Sequence, residues 1–183
     1  MVYRFIIVSD EVDEFRRDIV IDSESTFFEL HEVLLDSVKY TKDQITSFFL
    51  CDEDWEKRTE ITLIDMGSGF DEDIYVMENT RLSELLDEEK QKLVYVFEPL
   101  TERCFFIELR EIITGKTQEK PQITKSLGNP PVQVTQMDDL EAMVAKVTAN
   151  AGLEDDDLYD EFGSEDYDEE ELADFGEDNP YDY

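Results

Sequence analysis

From Glu154 to Tyr183, sixteen of thirty residues are Asp or Glu and none is Lys or Arg. Mutual repulsion and a shortage of aliphatic side chains leave such a segment little to set against its ordering entropy, so disorder is the expectation over 153–183. Any hydrophobic core must come from the residues before it. Large apolar side chains nevertheless recur among the acids, at Tyr159, Phe162, Tyr167, Leu172, Phe175, Tyr181 and Tyr183.

The remaining 153 residues hold 33 acids against all 16 bases, a net of −17 within the chain's −33. Affinity for nucleic acid rests largely on cationic neutralisation of phosphates, so this balance argues against direct nucleic-acid binding. It argues equally against an anionic membrane surface. No apolar run approaches the ~20 residues of a membrane span, and the run at the N-terminus is too short for a signal peptide. Cys51 and Cys104 are the two cysteines, without the spacing of a zinc site or disulfide framework, and a cytoplasmic location is expected.

The first 113 residues alternate strand and helix patterns. "VYRFIIV" (2–8) and "FRRDIVI" (15–21) read as a hairpin joined by the acidic "SDEVDE". A helix follows, capped near Ser25, with Phe27, Leu30, His31, Leu34 and Val38 on one face. "QITSFFLCD" (44–52) and "EITLIDM" (60–66) read as strands, and "MENTRLSELLDEE" as a short helix started by Asn79 or Thr80. "KLVYVFE" (92–98) and "RCFFIELREII" (103–113) complete the set. This order predicts an α+β domain over 1–113 with a β-grasp-like mixed sheet, the last strand forming an added edge. Residues 114–136, polar and proline-containing, read as an extended connector. Residues 137–152 read as an amphipathic helix, with Met137, Leu140, Met143 or Val144, and Val147 on one face.

In the hairpin and first helix, "FRRDIVI" and "TFFELHEVLLDSV" resemble the plasmid pRiA4b ORF-3-like family, whose members are also described as transposon passenger proteins of the TnpR type. The family's second strand reads about W-R-R-I-x-V and its helix T-L-x-x-L-H-x-x-I-x-x-A, which puts Arg16, Arg17, Leu30 and His31 on motif positions. Ile45 and Phe48 match a later H-L-x-x-F motif that lacks its histidine here. Tyr95, Phe97, Glu98, Ile107 and Leu109 keep the outline of Y-x-Y-D-F-G-D-x-W-x-H-x-I-x-L, and Pro121, Pro130 and Pro131 remain of a proline-rich stretch farther on. The resemblance implies a bacterial, mobile-element-associated protein, a diverged member that carries over a fold and no established activity.

Chemistry has few footholds. His31 is the sole histidine and its apolar helix face suits a hydrogen-bonded core residue; no GxSxG elbow is present. Cys51 and Cys104, inside apolar strands, read as small core hydrophobes. "DMGSGFDED" (65–73) lacks the Lys-Ser/Thr of a phosphate loop and the spacing of a calcium loop, and reads as a turn. Arg16 and Arg17 should point to opposite faces of their strand, one paired with Asp18 or Glu14 and the other exposed. Trp55 either covers the sheet end or marks an interaction surface.

The sequence thus predicts a non-catalytic interaction module without cofactor or metal. A basic protein is the expected partner, held by the acidic tail through Tyr159, Phe162, Tyr167 and Phe175. The alternatives are a merely solubilising tail, and a ligand-binding or enzymatic domain whose site on the sheet uses His31, Arg16 or Arg17 and residues near Glu98.

Overall fold

A computed structural model describes residues 1–65 and 75–134. The described residues form a compact unit that extends to Val134. The expected loop at 65–73 lies, save Asp65, outside the described residues, as do the helix over 137–152 and the tail over 153–183 with Tyr159, Phe162, Tyr167 and Phe175.

Among the described residues eight strands form one open sheet: β1 (Val2–Val8), β2 (Arg16–Asp22), β3 (Ser47–Cys51), β4 (Lys57–Thr62), β5 (Tyr75–Val76), β6 (Lys92–Glu98), β7 (Arg103–Ile113) and β8 (Gln122–Leu127). Their spatial order is β5-β4-β3-β6-β7-β1-β2-β8, antiparallel except for the short β4–β5 pair. Among the described residues two helices, α1 (Phe27–Val38) and α2 (Leu82–Leu85), accompany the sheet.

The period-2 pattern decides which face is buried. Phe5 and Ile7 of β1, Ile19 and Ile21 of β2, Phe48 of β3, Tyr95 and Phe97 of β6, and Phe105, Ile107 and Leu109 of β7 join one core cluster with the buried face of α1. That helix face is Phe27, Leu30, His31, Leu34, Leu35 and Val38, the predicted stripe plus Leu35. Thr26 caps α1: its Oγ1 accepts from the Glu29 amide, and the Glu29 carboxylate accepts from the Thr26 amide. This reciprocal pair satisfies two backbone donors that the helix start would otherwise leave open. Lys39 ends the helix in the left-handed region at φ 59°. Leu82 and Leu86, in and just after α2, are buried against the sheet end, where the Tyr3 hydroxyl donates to the Leu86 carbonyl at 2.5 Å.

Several placements differ from the sequence reading, among them β4, which spans Lys57–Thr62 rather than 60–66. β7 is not an edge: it lies between β6 and β1, because its apolar residues 105, 107 and 109 fill the middle of the core. The edge is β8, which falls in the stretch read as an extended connector and pairs antiparallel with β2. The N-cap of α2 is Arg81, whose amide donates to Glu84, rather than Asn79 or Thr80.

A tight turn closes β8. Gly128 has φ +64°, and a Cβ there would lie 2.9 Å from the Glu14 carbonyl oxygen, so both backbone conformation and space call for glycine.

Candidate functional site

The residues singled out from the sequence occupy four separate environments. Arg16 projects on the sheet face away from α1, donating through Nε and Nη2 to the Asp18 carboxylate at 2.6 and 2.9 Å. Arg4 adds a third bond to Asp18 at 3.0 Å. Asp18 is 1% exposed, and hydrogen bonds from Arg16, reinforced by Arg4, hold its carboxyl below the usual value against the desolvation that would raise it.

Arg17 points to the other face, as strand alternation requires, but it is buried rather than exposed, with 4% of its surface accessible. The physical reason is its acceptors. Its guanidinium donates to the carbonyls of Ser37 at the end of α1, Arg16 in β2, Leu127 in β8 and Gly128 beyond it, at 3.2, 2.9, 2.5 and 3.2 Å. It also stacks 4.5 Å from the Phe15 ring centroid. A helix C-terminus is a favourable place for a cation, and these oxygens replace water. Burial still lowers the Arg17 pKa from its ordinary value. Arg17 thereby ties α1, β2 and β8 together.

His31 sits in the core at 2% exposure, its Nδ1 2.8 Å from the Tyr95 hydroxyl and 3.4 Å from Thr46 Oγ1. Burial drives its pKa down to about 4 and pushes that of Tyr95 up, so at neutral pH both groups are uncharged. Glu98 lies at the end of β6. Its Oε2 accepts from Thr101 at 2.8 Å and from Arg103 at 3.0 Å, and Arg103 turns its other nitrogens to Glu11 and the Val132 carbonyl. Arg103 also packs over Phe97, 5.1 Å from the ring centroid.

Arg103 was not legible as a hub from its sequence neighbours. Glu11 is 92 positions away and Val132 is 29, and the local signal is only the turn "PLTE" that presents it. Tyr40, whose hydroxyl donates to the Pro131 carbonyl at 2.6 Å beside Phe97 and Phe105, was missed for the same reason.

The cysteines depart from the expectation. Cys51 and Cys104 are half-buried on the sheet face away from α1, set there by pairing with Lys92 and Val96. Burial raises both thiols, Cys104 to about 11, so neither is poised as a thiolate. Trp55 packs edge-on against Phe106 with ring centroids 5.1 Å apart, and Lys92 Nζ lies 4.9 Å from its ring. Trp55 therefore covers part of the sheet. Among the described residues, no group of three or more His, Cys, Asp or Glu is arranged to hold a metal ion. No described helix is long and apolar enough to cross a membrane.

These features define an α+β domain with a mostly antiparallel open sheet, whose prominent polar groups are locked to one another or to backbone. The family model described as plasmid pRiA4b ORF-3-like protein matches residues 3–174, and the chain belongs to that family. Its fold is similar to the crystal structure of a protein of unknown function from Methanosarcina mazei Go1, with TM-score 0.57, 15% identity and 81% of each chain covered. At that identity the likeness bears on the fold alone. No curated protein matches.

Proposed function

We propose that this protein is a non-catalytic interaction module whose acidic, aromatic-spaced segment captures a basic protein. The observation that carries this reading is the division of labour along the chain. Arg16, Arg17, His31 and Glu98 are each engaged in intrachain bonds that serve the fold, whereas residues 154–183 concentrate sixteen acids with aromatic anchors. The acids supply long-range attraction and the aromatics supply local apolar contact.

A site on the sheet near His31 has less support. The imidazole is enclosed between Tyr95, Thr46 and Phe28, and burial, which outweighs the charge of Glu32, leaves it neutral with the Tyr95 hydroxyl as its hydrogen-bond partner. The strand order supports a β-grasp-like reading with β7 as an insertion: without β7, β6 would lie beside β1 and parallel to it, between β3 and β2.

The experiment is a pull-down from cell extract with the full chain and with a chain ending at Leu153, across a salt series. Discrete basic proteins recovered only by the full chain, and released as salt screens exposed charges beyond ~8 Å at physiological ionic strength, support the reading. Identical recovery by both chains contradicts it.

A further inference from the structure

We propose that the free edge of β8 is a docking site for an extended protein segment in which acidic and apolar residues alternate. One side of β8 pairs with β2; the other meets no strand among the described residues, and all six residues Gln122–Leu127 are exposed. An edge of this kind offers a row of backbone donors and acceptors, which a peptide strand can match and a nucleic acid or lipid cannot.

Charge selects the occupant. Residues 114–127 contain three lysines and one glutamate, an inversion of sign in a chain of net −33. Among the described residues no ion pair engages Lys116, Lys120 or Lys125, while Arg4 and Arg16 behind them are taken up by Asp18 and Glu111. A second copy of this chain fits poorly, since two strongly anionic bodies of net −33 each would be brought together. At this edge a basic strand would set like charges beside Lys125.

Register sets the pattern. Lys125 pairs with Asp18 and Ile123 with Ile19, and a bulge at Thr124 brings these neighbours opposite consecutive residues of β2. Lys125 thus lies on the sheet face of Arg4 and Asp18, and Ile123 on the face of α1. An added strand would place acids beside Lys125 and apolar side chains beside Ile123, which is 42% exposed. The bulge and the lysine discourage pairing with like strands but attract an acidic one.

The test uses the full chain and a short fluorescent peptide alternating valine and glutamate, with anisotropy for affinity and amide hydrogen exchange for location. Saturable binding that slows exchange over 122–127 is expected. Lys125→Glu, with its fold checked by circular dichroism, should weaken binding by about tenfold, as attraction becomes repulsion across the strand pair. A valine–lysine peptide should leave exchange over 122–127 unchanged, and N-methylation of the valine–glutamate peptide backbone should abolish its binding. Absence of saturable binding, protection mapped elsewhere, or full affinity after N-methylation would overturn the proposal.

Discussion

The Nδ1 atom of His31 lies 2.8 Å from the hydroxyl of Tyr95, across the interface between α1 and the middle of the sheet. Both partners are buried and neither is charged at neutral pH, so the pair is a polar contact within the core. Its behaviour on acidification follows from linkage. The His31 pKa falls from 6.5 unfolded to about 4 folded, so between these values the unfolded chain binds the extra proton. Stability from this residue is complete above pH 6.5 and is lost as pH falls toward 4, by about 3 kcal/mol in all. Urea midpoints measured from pH 7 to pH 4 should fall less steeply for His31→Gln than for wild type. Parallel curves would show that the imidazole is not buried neutral.

Arg17 is expected to be among the most sensitive polar positions. Arg17→Met keeps much of the apolar stem and strips the carbonyls of Ser37, Leu127 and Gly128 of their donor. Each buried acceptor left open costs about 1–3 kcal/mol, so a loss of at least about 2 kcal/mol is predicted in denaturant unfolding. Arg17→Lys should recover only part of it, because an ammonium cannot reproduce the guanidinium fork. A neutral Arg17→Met would remove Arg17 as the tie between α1, β2 and β8.

Gly128→Ala should loosen β8 locally. Its φ of +64° and the 2.9 Å approach of the new Cβ to the Glu14 oxygen both oppose alanine, and the left-handed conformation alone costs about 1–2 kcal/mol. Amide exchange should accelerate at Gln122–Leu127 before it does in β6. Unchanged protection of β8 would mean that the turn relaxes without cost.

The contrast between β8 and the central strands explains what could be read ahead of the structure. The ranges of β1, β6 and β7 follow directly from their runs of β-branched and aromatic residues, and the stripe of α1 from its 3.6-residue spacing. β8 has no such pattern: Gln122–Leu127 is exposed throughout, and its strand state comes from pairing with β2, which no local periodicity encodes. Arg17 shows the same limit at the candidate site. Strand alternation separates it from Arg16, but two of its carbonyl acceptors lie 110 and 111 positions away. The central position of β7 is likewise a matter of non-local pairing, with β6 on one side and β1 on the other.

The central claim is that the acidic segment recognises a basic protein through its aromatics as well as its charge. It is tested most directly by changing Tyr159, Phe162, Tyr167 and Phe175 to Ser in the full chain, which leaves all sixteen acids in place. The basic protein recovered by the wild-type chain is then titrated against both forms at fixed salt. We predict that its affinity falls by at least about tenfold, equivalent to ~1.4 kcal/mol. Equal affinity for the two chains would contradict the claim and reduce the segment to a polyanion.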